Sequence, residues 1–437
     1  VAPISPRTRR PARVAAAISA LALVACTAAC GGADDDTASG GSSAKNFSFL
    51  SINENTTIPA TLTTLSQKEC ATQNTAQPLE IKKQAQASLD QQLQLLAGQG
   101  ALPQTFIAAN APSLTSQLAD SGSVLDTAAI SEGVLPAASS TIKSLYDGKQ
   151  LVLPTELNIE GIWYNKKLLA DNGITTPPAT WDDLTAAFAK LQAAGVQPIS
   201  QAGKGGDGWG VTRWVGNYIL RSQGPDALKK VADGQAKLTD PQYVAAADAI
   251  AALGKAGYFG KSPTSIDYAT ALNTFLAGKA AFIYMGSWAL SDFNDESKNK
   301  VGADNVGFLK FPTVTGGAGT ADQMPANVGT ALAISKKAYE NDTNTQAWVK
   351  CIVDNYGTVA LRDSSQITGF ATDGSVEVPA LTKQIQSEIS NVQTSVLWFE
   401  AYFSAKATTI SQGNGGLLAG GQLTGEKFMQ TVTANLG

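Results

Sequence analysis

The 437-residue chain contains no histidine. That absence removes Ser-His-Asp and Cys-His nucleophilic sites, together with every zinc site that needs imidazole. Cysteine is almost as scarce: Cys26 and Cys30 lie close to the start, and only Cys70 and Cys351 remain beyond them. No C-x-x-C pair follows the leader, so a thiolate zinc site and a thioredoxin-like dithiol are excluded too. G-x-x-x-x-G-K-[ST] is missing, because "LAGKAA" lacks the hydroxyl residue, so there is no P-loop. Nor does any repeat recur at a fixed period. Basic charge is thin as well. Arg7, Arg9, Arg10 and Arg13 are the only charges in residues 1–29, and taking those four from a net −4 leaves −8 for the rest. An acidic body without a Lys/Arg-rich face argues against a nucleic-acid partner.

What is present begins with an export pattern. The arginine-rich start is followed by an apolar run, Val14–Ala29, shorter than the ~20 residues a bilayer-spanning helix needs. A basic region, a short apolar run and small residues together read as a signal peptide. "LVAC" and "TAAC" both resemble the bacterial lipobox, in which the cysteine is lipidated. Cys30 is the expected site because "CGG" leads straight into a polar tether; Cys26 is the alternative, favoured by Leu23. The opening Val1 fits a GTG start codon. Cys70 and Cys351, in an exported body, permit a disulfide without requiring one.

The expected order is therefore a signal peptide over 1–30, a Gly/Ser/Asp-rich tether over 31–45, and a folded body. Its length exceeds one ordinary core and predicts two lobes. Strand and helix patterns alternate along it. "NFSFLSI" and "VQPIS" read as strands, as do "NVGFLKFP" and "NVGTALAIS". "SLDQQLQLLAG" carries Leu89, Leu93 and Leu96 on one helical face. "TWDDLTAAFAKLQAAG" opens on a Thr180–Asp183 capping signal and ends at Gly195. The C-terminal part reads as helix broken by "GNGGLLAGGQLTG". Such alternation predicts α/β architecture with largely parallel sheets.

Among candidate motifs, "GKGGDG" (Gly203–Gly208) matches G-x-G-x-x-G after a strand. The strand is short, and Asp207 would sit where a pyrophosphate needs backbone donors, so a dinucleotide loop is not favoured. The aromatics say more. Trp181 and Trp348 fall on helical stripes and belong to the core. Trp209 in "GDGWG" and Trp288 in "MGSWAL" instead follow Gly-rich turns after strands, where α/β sheets bind ligands. A flat indole matches the C–H face of a pyranose, and Asn, Asp and Glu hydrogen-bond its hydroxyl rim.

"YDGKQLVLPTELNIEGIWYNKKLLADNGITTPPATWDDLTAAFAKLQAAGVQPI" (Tyr146–Ile199) resembles the signature region of the bacterial extracellular solute-binding proteins of family 1. "GKAAFIYMGSWAL", "VGFLKFP", "GTALAISKKA" and "LTGEKFMQTV" follow in that family's order. These are the maltose-binding-protein-like sugar-binding lipoproteins of ABC importers. The resemblance implies a periplasmic-binding-protein-like type II α/β fold, two lobes with a hinge and a ligand cleft between them. It implies lobe 1 over 46–158 plus 328–372, and lobe 2 over 159–327 plus 373–437. It also implies a monomer tethered to the outer face of the cytoplasmic membrane by its lipid anchor, capturing carbohydrate for permease transmembrane subunits. No cofactor, metal or catalytic residue is implied.

Ligand residues follow where motifs align. Trp288 matches a family aromatic that stacks on sugar, and Trp398 in "SVLWFEAYF" resembles a second. Asn158 falls where maltose-binding members carry a cleft carboxylate. Glu54, Asn55 and Asn110 sit on typical first-lobe cleft loops, and Asp207, Trp209 and Asn327 are similar candidates. Glu160, Trp163, Tyr164 and Asn165 are read as mostly hinge and scaffold. The alternatives are a secreted glycoside-active enzyme using two carboxylates, and a binder of the same fold for a non-sugar solute such as a polyamine.

Overall fold

The computed structural model describes residues 45–392 and 394–436. The expected signal peptide, Cys26 and Cys30, and the tether up to residue 44 lie outside the described residues. Ten strands organise the body: β1 (Phe47–Ile52), β2 (Leu79–Gln84), β3 (Thr105–Ile107), β4 (Asn158–Asn165), β5 (Gln197–Ile199), β6 (Ala280–Gly286), β7 (Val306–Leu309), β8 (Gln323–Asn327), β9 (Leu332–Ile334) and β10 (Thr394–Val396). They form two sheets, ordered β2-β1-β3-β9 and β10-β8-β4-β6-β5, with β7 also on β4. The architecture is the expected two-lobed α/β type.

In the first sheet β1 lies parallel to both neighbours, and only β9 runs antiparallel. β1 is covered on both faces, which is why "FSFLSI" is apolar almost throughout. Phe47 stacks on Trp348 with ring centroids 4.8 Å apart. Trp348 belongs to the helix Thr343–Ser364 and donates its indole N–H to the Gln77 carbonyl at 2.8 Å. Cys351, one turn on, is disulfide-bonded to Cys70 with a Cα–Cα distance of 5.9 Å. The bond joins Cys70, between the helices Thr57–Gln67 and Ala71–Ala76, to a residue 281 positions away.

The second sheet departs from the parallel expectation. β4 runs antiparallel to β6, β7 and β8. A parallel pair needs a crossover through the same lobe. β4 instead enters directly from the first sheet's side, so that constraint does not bind it. Over it pack the helix Trp181–Ala193, which carries the reciprocal Thr180–Asp183 capping box, and the helix Pro241–Lys255.

Three segments pass side by side between the sheets. Leu153 pairs with Leu332 and Asn158 with Asn327. The Leu157 amide donates to the Ile367 carbonyl at 3.0 Å, and the Gly369 amide to Pro154 at 2.9 Å. "NVGTALAIS" is accordingly not one strand: Asn327 ends β8, Gly329 turns the chain at φ +57°, and β9 starts at Leu332.

The glycine-rich C-terminal stretch breaks the helix only in its second half: Ala405–Ala419 runs through Gly413, Gly415 and Gly416, and residues 420–424 separate it from Gly425–Thr433. Side-chain-free positions are needed there for packing. A Cβ on Gly416 would meet the Gly203 carbonyl, and one on Gly415 the Gly208 carbonyl. The "GKGGDG" loop is thus laid backbone-to-backbone on that helix, and its glycines serve close approach.

Candidate ligand-binding site

A cleft of about 270 Å³, open to solvent, is lined from both sheets and from the crossing segments between them. Its position follows from the fold, since α/β sheets bind at the carboxyl ends of their strands. The turn after β1 brings Glu54 and Asn55, the loop after β3 brings Asn110, and the turn after β6 brings Trp288. Gly286 makes room for that indole, because a Cβ there would lie 2.5 Å from Trp288 Cη2. A shallow surface depression lined by Pro136, Ser139, Ser140, Lys143 and Ser144 holds none of the candidates.

Eight of the nine residues expected to meet ligand line this cleft: Glu54, Asn55, Asn110, Asp207, Trp209, Trp288, Asn327 and Trp398. Asn158 does not, which corrects the expectation placed on it. It is only 1% exposed. Its Nδ2 donates to Glu156 Oε2 at 3.0 Å and its Oδ1 accepts from Ser287 Oγ at 3.0 Å. Asn158 therefore holds a neighbour in place behind the cleft. That neighbour, Glu156, lines the cleft and was not foreseen. It also accepts from Asn55 Nδ2 at 3.1 Å and from the Thr330 amide and hydroxyl at 3.1 and 3.2 Å.

Glu160, read from the sequence as hinge and scaffold, joins the lining, and so do Arg213, Tyr268 and Asp292, which were not singled out. Helical spacing gives one signal that was available, since Arg213 follows Trp209 by four residues on one helix. The Arg213 Nε donates to Glu160 Oε2 at 2.9 Å and its Nη1 to Glu400 Oε2 at 2.7 Å. Burial pulls the Arg213 pKa down, but Glu160 and Glu400 more than offset it, leaving it above the ordinary value. Burial pushes Glu400 up against the pull of Arg213.

One wall of the cleft is aromatic. Trp209 meets Trp288 edge-on at 5.7 Å and lies 6.3 Å from Tyr268. Facing it are amides and carboxylates. Asn110 Nδ2 donates to the Gln86 carbonyl at 2.8 Å, and Glu54 accepts from the Gln86 amide at 3.2 Å. Asp207 accepts from the Tyr268 amide at 2.8 Å. Burial raises the Asp207 pKa, the Tyr268 amide opposes this, and the Glu54 charge adds to the rise.

Five carboxylates line the cleft: Glu54, Glu156, Glu160, Asp207 and Asp292. They are not equally available. Glu160 pairs with Arg213 and Asp292 with Lys298 at 2.7 Å, while protein donors occupy both Glu156 oxygens. That leaves Glu54 and Asp207 as acidic acceptors without a close cation. Among the described residues, no group of three or more His, Cys, Asp or Glu is placed to hold a metal ion. No helix among them is long and apolar enough to cross a membrane. The arrangement can stack a flat apolar face against indole and accept hydrogen bonds from hydroxyl groups around it.

Comparison with known proteins gives consistent likenesses. The profile of the family described as bacterial extracellular solute-binding protein matches residues 71–355. A probable sugar-binding periplasmic protein of Mesorhizobium japonicum is 27% identical over 224 residues, which are 48% of this chain and 52% of that one. The chain thus spans about half the length of that curated relative. The solved structure of a chitin oligosaccharide binding protein superposes with a TM-score of 0.74 at 26% identity, covering 90% of this chain and 98% of the other. A raffinose complex of the binding protein RafE shares the fold, with a TM-score of 0.68 at 16% identity over 89% of this chain and 100% of that one.

Proposed function

Because the chain belongs to the bacterial extracellular solute-binding proteins, we propose that it captures a mono- or oligosaccharide in this cleft and hands it to a membrane permease, with no chemistry of its own. The observation that carries the reading is the pairing of an aromatic wall (Trp209, Tyr268, Trp288 and Trp398) with a rim of amides and carboxylates. Sugar-binding relatives in the same family support it. In this reading lobe 1 comprises 46–158 with 328–372 and lobe 2 comprises 159–327 with 373–437. The three crossing segments serve as the hinge. A sugar held by both lobes favours their closed arrangement because it gains contacts there that the open one lacks. Cys30, or alternatively Cys26, carries the lipid that tethers a monomer to the outer face of the cytoplasmic membrane.

The five cleft carboxylates give two other readings a specific footing, a cationic solute such as a polyamine and a two-carboxylate glycosidase. Against the first, Glu160 and Asp292 are already neutralised and Glu156 is saturated with donors. Against the second, the family is one of binding proteins. Thermal-shift screening decides: a ligand that binds only the folded chain stabilises it by RT ln(1 + [L]/Kd), about 2.7 kcal/mol at a hundred times Kd. Chitin oligosaccharides, xylo-oligosaccharides and raffinose are the sugar arm, and putrescine and spermidine the other. A shift with a sugar and no product on chromatography supports the proposal. Shifts with polyamines alone, or released product, overturn it.

A further inference from the structure

One cation sits where the aromatic wall meets the crossing strands. The Arg213 guanidinium carbon lies 5.5 Å from the Trp209 ring centroid and 5.5 Å from that of Trp398. It is 11% exposed, while its partners Glu160 and Glu400 are 1% and 0% exposed. Glu160 stands on β4 and its other oxygen accepts from Asn327 Nδ2, at the end of β8, at 2.6 Å. It also accepts from the Tyr284 hydroxyl on β6 at 3.2 Å. Glu400 is held in turn by the hydroxyls of Thr212 and Ser411. A single guanidinium therefore connects two indoles of the cleft wall to both β4 and β8.

Stability alone does not account for this arrangement. Well-packed apolar side chains in place of a buried ion cluster are often neutral or stabilising. Apolar side chains would lack fixed direction. A planar guanidinium offers donors in a rigid fork and a flat face to each neighbouring ring, so it sets both the spacing and the tilt of what it touches. Lysine offers neither.

We infer that Arg213 is a positioning residue, which fixes the spacing of Trp209 and Trp398 in the cleft wall and transmits a shift of those rings to β4 and β8 through Glu160 and Asn327. The inference rests on the sugar-cleft reading only for the ligand used in its test. Ligand that presses on either ring moves the guanidinium, and the guanidinium cannot move without Glu160. Occupancy of the wall and the geometry of the crossing strands are thereby coupled.

Glu160→Gln tests it, since the amide keeps the side chain's shape but cannot accept from Arg213, Tyr284 and Asn327 alike. The expected result is a changed near-ultraviolet circular dichroism of the ligand-free protein, lost when Trp209→Phe and Trp398→Phe are also present. Affinity for whichever of the chitin oligosaccharides, xylo-oligosaccharides or raffinose binds the unaltered chain falls about tenfold, the size of a typical coupling between sites. Ile250→Val, in the core of the helix Pro241–Lys255, serves as the control for general loss of stability. Arg213→Lys keeps the charge and is expected to behave like Glu160→Gln. If Glu160→Gln lowers stability as Ile250→Val does, with its spectrum and affinity unchanged, the inference is wrong. An Arg213→Lys protein with the unaltered spectrum overturns it too. If no sugar binds the unaltered chain, the sugar reading fails, and the ligand-free spectra still decide the role of Arg213.

Discussion

Gly329→Ala puts the link between backbone conformation and cleft geometry to a quantitative test. Gly329 lies at φ +57° between β8 and β9, directly beneath Glu156 and Asn158. A Cβ there would collide with Glu156 Oε2 and stand 2.5 Å from Asn158 Nδ2 and 2.6 Å from Glu156 Cβ. Two costs add. Left-handed backbone costs an L-residue roughly 1–2 kcal/mol. Displacing the Glu156 carboxylate breaks a hydrogen bond to a buried charge, about 1.5–3 kcal/mol. The total is about 4 kcal/mol, or about 8 °C in Tm at roughly 2 °C per kcal/mol for a chain of this size. Gly374→Ala is the matched comparison, because Gly374 has φ +76° with nothing within 4 Å of its Cβ. It should lose only the backbone part, about 1 kcal/mol. Urea denaturation of both variants, read by tryptophan fluorescence, measures the difference. Equal losses would refute the claim that Glu156 and Asn158 form a fitted layer over Gly329.

The other expectations concern separate parts of the chain. Cys70→Ser with Cys351→Ser should cost about 5 kcal/mol, because the bond closes a loop of 281 positions; the unaltered chain in reductant should melt with the double variant, and unchanged melting would contradict it. Gly416→Ala should destabilise by about 2 kcal/mol through overlap with Gly203. Gly413→Ala in the same helix, with nothing within 4 Å, should stabilise by about 0.5–1 kcal/mol; chemical denaturation separates the two signs. Burial holds the Asp207 carboxyl above its ordinary range. Its contribution to folding is full below the unfolded pKa, about 3.9, and is lost as pH rises through the folded value. Asp207→Asn should therefore melt higher than the unaltered chain at pH 7, with the gain vanishing towards pH 4; melting curves across that range would show the opposite trend if the sign were wrong.

Much of the fold and half of the site's logic were legible in the sequence, for local reasons. The helix Trp181–Ala193 announces itself by Thr180, Asp183 and a four-residue apolar stripe, all within one element. Glu54, Asn110 and Trp288 follow strands directly, so the rule placing ligands at strand ends finds them. The residues that escaped are those whose meaning lies in distant partners. Arg213 meets Glu400 across 187 positions and Asn327 meets Glu160 across 167. Asn158 was misplaced because its assignment rested on motif alignment, whereas β4 is buried on both faces and turns this side chain to Glu156 and Ser287. The helix through Gly413, Gly415 and Gly416 was hidden by composition. Glycine lowers helix propensity, and here close packing on the Gly203–Gly208 loop overrides it.

Calorimetric titration of the unaltered chain and of Trp288→Ala with chitin oligosaccharides, xylo-oligosaccharides and raffinose tests the sugar-capture claim most directly. Removing one stacking ring should weaken the sugar that binds by about 1.5 kcal/mol, or about tenfold in Kd. The account predicts saturable binding of at least one sugar to the unaltered chain and that tenfold loss in the variant. Binding of no sugar, or equal affinity in both proteins, would contradict it.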